Sequence, residues 1–204
     1  MLSTNSISRR LIGALAVSAA VVSAVVLGGA GVGQAATASL TLVYNCPFPL
    51  IGAQDMSVQI VASNLPASAV VGQPLPATNV TATATVPANA TLGLALVGAK
   101  TVEGTATSTT SVNNAGTLRA VVASLTVPKT NVPSSGSFTT VATGSAPSIT
   151  LTKAGLTTIT VGNFTTTLTP RKSDGSTTGL GTFTLNCTLK PGQATTLYQF
   201  TVTA

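Results

Sequence analysis

Residue types able to do chemistry are scarce in this chain of 204 residues: two cysteines, three acids (Asp55, Glu103, Asp174), nine Lys or Arg, and no histidine or tryptophan. Histidine is the usual general base and a common metal ligand, so its absence removes most hydrolytic and metal-dependent mechanisms. Three acids far apart in sequence cannot make a Zn or Ca cage and offer no obvious carboxylate pair for glycosidic chemistry. A serine nucleophile would need Lys or a carboxylate as base. No S-x-x-K, G-x-S-x-G or G-x-x-x-x-G-K string follows residue 38. The sequence therefore predicts a protein that is not an enzyme and uses no cofactor or metal.

Cys46 and Cys187 are the remaining reactive pair. In an exported chain two cysteines point to one intramolecular disulfide, with free thiols or an intermolecular link as the alternatives. Each falls in phase with apolar neighbours two residues away: Leu42 and Tyr44 before Cys46, Phe183 and Leu185 before Cys187. The expected bridge is thus a core staple joining the first strand to the next-to-last. It closes a loop of roughly 140 residues, for which chain entropy gives roughly 5 kcal/mol.

The most distinctive charged segment is Pro170-Arg171-Lys172-Ser173-Asp174-Gly175. It reads as a solvated connection with a Ser-Asp-Gly turn. A sharper reading makes it an interaction loop in which Arg171, Lys172 and Asp174 meet a partner, or an inhibitor loop offering Arg171 or Lys172 to a trypsin-like protease. Nucleic-acid binding needs clustered positive charge with stacking aromatics. Here the basic residues are scattered and Arg171-Lys172 is the one basic pair after residue 38, so no nucleic-acid partner is expected.

Strand signals dominate the elements that carry these residues: β-branched side chains alternate, and Gly, Pro and Asn-Ala-Gly break them about every ten residues. Val80, Ala82, Ala84 and Val86 alternate with Thr81, Thr83 and Thr85, and Asn113-Asn114-Ala115-Gly116 reads as a hairpin turn. About ten short strands and no long amphipathic helix predict an all-β, antiparallel, immunoglobulin-like β-sandwich, with a barrel as the runner-up. Residues 88–97 suggest one short helix from the spacing of Leu92, Ala95 and Leu96. Threonine suits such strands: its branched Cβ fits a pleated sheet, and its hydroxyl wets the surface of a chain with 6% charged residues.

The first 38 residues differ from the rest. Arg9-Arg10 precedes an uncharged apolar run from Leu11 to Val32, then small residues, the layout of a secretory signal peptide. Cleavage after Ala35 or after Ala38 fits, and Ser8-Arg9-Arg10 leaves both general and twin-arginine export open. The alternative is a retained anchor, which would be the chain's contact with a membrane. The expected organisation is a signal peptide over 1–38 and a single Thr-rich domain over 39–204, secreted or extracellular.

Tyr44-Asn45-Cys46-Pro47-Phe48-Pro49, Lys100-Thr101-Val102-Glu103-Gly104, Leu168-Thr169-Pro170-Arg171 and Asn186-Cys187-Thr188 resemble a domain family of unknown function in secreted actinobacterial proteins. The likeness runs from Leu40 to Val202 and implies a secreted β domain with a disulfide. It implies no catalytic or binding residue.

Three functions compete. The leading expectation is a non-catalytic structural or interaction role at the cell envelope or outside the cell, with a protein or envelope partner. The second is a carrier of a lipid or other apolar small molecule, with Leu42, Val58 and Phe183 lining a cavity above about 300 Å³ between two sheets. The third is the protease inhibitor.

Overall fold

In a computed structural model, residues 35–204 are described; the expected signal segment up to residue 34, with its arginine pair, lies outside them. The strands are β1 (Ala36–Phe48), β2 (Gly52–Leu65), β3 (Ser68–Val70), β4 (Thr78–Val86), β5 (Thr101–Asn114), β6 (Thr117–Asn131), β7 (Phe138–Ala146), β8 (Gly155–Arg171), β9 (Phe183–Leu189) and β10 (Thr196–Thr203), with one helix, α1 (Ala88–Leu96), between β4 and β5. β1 thus starts three residues ahead of the expected boundary at Ser39.

These strands do not form a sandwich. Eight of them close an antiparallel barrel in the order β8-β5-β6-β7-β4-β2-β1-β9 and back to β8. The long strand β8 makes closure possible. Its second half pairs with β9, from Phe164↔Cys187 to Leu168↔Phe183, while its first half pairs with β10. β10 then carries β3 as a parallel flap outside the ring. What reads in sequence as two strands, Thr157–Val161 and Phe164–Thr169, is one 17-residue strand interrupted at Gly162-Asn163.

The ring consists of two well-paired halves joined at two narrow seams. Between β6 and β7 the ladder has three rungs, Ser124↔Ser145, Leu125↔Gly144 and Thr126↔Thr143. Between β1 and β9 it has two, Tyr44↔Leu189 and Asn45↔Thr188. Glycine permits the first seam, since a Cβ on Gly144 would overlap the Ser124 carbonyl oxygen. Gly104 relates to Thr167 on β8 in the same way. Strand glycines at such close approaches mark where a sheet coils tightly enough to close.

The second seam is fastened by Cys46 and Cys187, which are disulfide-bonded with Cα atoms 4.3 Å apart. They occupy the next rung beyond Asn45↔Thr188, so the bridge links neighbouring strands of one wall rather than two facing sheets. In the other direction the Gln193 amide takes over from β9: its Oε1 accepts the Val43 N–H at 2.7 Å and its Nε2 donates to the Val43 carbonyl at 2.8 Å. A side chain thereby imitates one more rung.

The helix caps one end of the barrel. Residues 88–97 predict it correctly but predict the wrong face: Ala90, Thr91, Gly93 and Leu94 are buried, while Leu92 and Leu96 are exposed. Small residues win the inner face because the helix lies close to the wall; a Cβ on Gly93 would stand 3.2 Å from the Ile51 side chain. The Asn113–Gly116 turn forms as expected, with positive φ at Ala115 and Gly116, matching the twist of the strands it joins.

Candidate functional site

Alternation sends one set of side chains into the barrel. Met56, Val58, Ile60 and Ala62 come from β2, Val80, Ala82, Ala84 and Val86 from β4, and Val121, Ala123, Leu125 and Val127 from β6. An eight-stranded barrel is just wide enough for side chains to fill it or for one small ligand to sit inside. Here many inward positions are small: Ala82 pairs with Ala142 across β4 and β7, and Ala106 and Ala123 face inward from β5 and β6. They leave a cavity of about 160 Å³.

The cavity wall is almost wholly apolar, and among the described residues no Lys, Arg, Asp or Glu lines it. Phe48 and Leu168 border it towards α1; Leu65, Pro66, Leu75, Pro76, Pro147 and Ile149 border it at the far end. Of the three residues expected to line a carrier cavity, Val58 does; Leu42 and Phe183 are not among its lining residues. The volume also falls below the 300 Å³ at the low end of drug-sized pockets. It matches instead a cavity of about 150 Å³, which in an apolar setting stays dry and binds benzene or xenon.

Few polar atoms face this space. The Tyr44 hydroxyl donates to the Gly162 carbonyl at 3.2 Å, and burial pushes its pKa up to about 12. Thr166 donates to the Thr105 carbonyl at 2.9 Å. The hydroxyls of Ser108 and Thr110 stand on the same inner wall. Apart from Val58, none of the lining residues was legible as a site residue, because alanines and threonines at inward positions look like ordinary strand sequence.

The charged loop leaves the barrel at the end of β8 and turns at Ser173-Asp174-Gly175. Arg171 ends β8, where its Nε donates to a Glu103 carboxylate oxygen and its Nη1 to the Gly175 carbonyl at 3.2 Å. The guanidinium is therefore turned back onto the barrel rim. Lys172 and Asp174 are exposed. Asp174 accepts from the Ser176 N–H and hydroxyl, and these bonds hold its carboxyl below the usual range. Loop and cavity do not meet: none of Arg171, Lys172 and Asp174 lines the cavity. Among the described residues no group of three acidic, Cys or His side chains stands close enough to hold a metal.

A family model described as a family of unknown function, DUF6801, matches residues 43–198. The chain belongs to that family. The match spans the barrel from the β1–β9 seam into β10, so both cysteines and every cavity-lining residue except Phe200 fall within it. No curated protein matches the chain. No solved structure matches it either.

Proposed function

We propose that this protein is an exported, non-catalytic barrel that binds a small apolar molecule in its interior. The carrying observation is the apolar cavity of about 160 Å³ inside a closed, disulfide-fastened wall. A core at native packing density has few voids larger than water, and a cavity of this size costs stability unless something fills it. By comparison with the benzene-sized case, the ligand has on the order of six to ten heavy atoms. The wall supports a barrel that works in water: apolar residues point in and hydroxyls point out, the reverse of a membrane-spanning barrel. The test is native mass spectrometry of protein from its own culture medium, followed by solvent extraction. The expected result is a small apolar molecule released in proportion to protein; protein that carries none and takes up none counts against binding.

Export is part of the same reading. Cleavage after Ala35 leaves β1 whole, whereas cleavage after Ala38 removes the residues paired as Ala36↔Leu65 and Ala38↔Ala62. Sequencing of the secreted protein is expected to begin at Ala36; a start at Ser39 or an intact Met1 would refute this.

The outer wall favours a second reading, an interaction role at the envelope. Following the rungs, Thr81, Thr143, Thr126, Thr105, Thr167 and Thr184 line up across β4, β7, β6, β5, β8 and β9. Such an uncharged band contacts another surface with little ionic desolvation. Isolated cell envelope is expected to retain the wild type and release Thr105→Lys/Thr126→Lys; equal retention would remove this reading.

A further inference from the structure

The identity of the bound group follows from two hydroxyls on the inner wall, and this step rests on the binding reading above. We infer that the ligand is an uncharged, mainly apolar molecule carrying one neutral hydrogen-bonding group, a hydroxyl or ketone carbonyl, that is recognised by Ser108 and Thr110.

The register places both side chains. On β5, Ser108 lies opposite Ala123 on β6 and Phe164 on β8, and Thr110 lies opposite Val121 and Val161. All four flanking residues line the cavity, so each hydroxyl interrupts an otherwise apolar row.

Three other hydroxyls of the inner wall are engaged. Tyr44 gives its proton to Gly162, Thr166 to Thr105, and Thr140 meets Thr130 at 3.5 Å. Thr78, at the far rim beside Ala146, and Thr107, next to Ser108 on β5 with its side chain exposed, resemble Ser108 and Thr110 in lacking a partner among the described residues. A polar group in apolar surroundings is costly unless it is hydrogen-bonded. An alanine or valine would have served packing alone, so the two hydroxyls point to recognition.

Their chemistry restricts the partner. A hydroxyl both donates and accepts, so it takes a carbonyl or an alcohol equally. With no charged side chain of the described residues on the wall, a carboxylate or ammonium would be buried without a counter-charge, which is strongly unfavourable. Two residues apart on one strand, the hydroxyls are separated by about 7 Å. That spacing offers alternative contacts for one polar end rather than a clamp for an anion.

The experiment uses ethylbenzene, 1-phenylethanol and acetophenone, which share a carbon skeleton, titrated into the wild type, Ser108→Ala, Thr110→Val and the double variant by calorimetry. The variants remove hydroxyls without adding bulk, and each single variant carries the test should the double one fail to fold. The expected result is binding of all three probes by the wild type. The double variant is then expected to lose about tenfold affinity for the alcohol and the ketone, the equivalent of one hydrogen bond, with ethylbenzene nearly unchanged. Equal changes for all three probes, or none, overturn the inference while leaving the cavity as a binding site. Failure of the wild type to bind even ethylbenzene overturns the binding reading itself.

Discussion

Breaking the Cys46–Cys187 bond is expected to destabilise the barrel more than removing any other single link. The cysteines are 141 residues apart in sequence, and a loop of that length corresponds to about 5 kcal/mol of chain entropy. The native state also depends on the bond locally. The β1–β9 seam has two rungs, supplemented by the Gln193 amide and by the Lys190–Asp55 ion pair. That ion pair is exposed, and pairs of this kind contribute little. The assay is urea denaturation of the oxidised protein, the reduced protein and Cys46→Ala/Cys187→Ala. With slopes of about 1 to 3 kcal/mol/M, the midpoint should fall by about 2 M or more, and Tm by about 10 to 20 °C. Hydrogen exchange should show Tyr44, Asn45 and Leu189 losing protection first. A midpoint unchanged on reduction would refute the view that the bond closes the ring.

Two further outcomes test the wall. Gly144→Ala places a methyl group against the Ser124 carbonyl at the three-rung β6–β7 seam and is expected to cost about 1 to 3 kcal/mol in urea denaturation; unchanged stability would mean that the seam has room to spare. Tyr44 tests burial through pH: its folded pKa of about 12 lies above the ordinary 10.0, so the fold favours the neutral phenol. That contribution is complete below pH 10 and is lost as pH rises from 10 to 12. It is on the order of 2 kcal/mol. Tyr44→Phe is expected to flatten stability across that window, and an equal slope in both proteins would contradict the assignment.

Much of the architecture was legible along each strand and little of it between strands. Alternation identified which side chains turn inward, so Leu42, Tyr44, Cys46, Leu185 and Cys187 are buried as their phase implies. The same alternation is compatible with two packed sheets or one closed sheet, because it says nothing about which strands become neighbours. Closure depends on features with weak local signatures: a β8 long enough to pair with both β9 and β10, and glycines at 104 and 144 where strands nearly touch. The candidate site was less legible still. A cavity is set by what is missing, and seven inward alanines announce it only once the ring is known.

The most direct test of interior binding is a titration with toluene followed by NMR, in the wild type and in Ala142→Leu, whose added bulk enters the cavity beside Ala82. If the interior binds apolar molecules, toluene protons will give nuclear Overhauser contacts to the Ala82, Ala123 and Ala142 methyl groups in the wild type, and Ala142→Leu will fold but bind at least tenfold more weakly. Contacts confined to the outer wall, or equal binding by the folded Ala142→Leu protein, would contradict it.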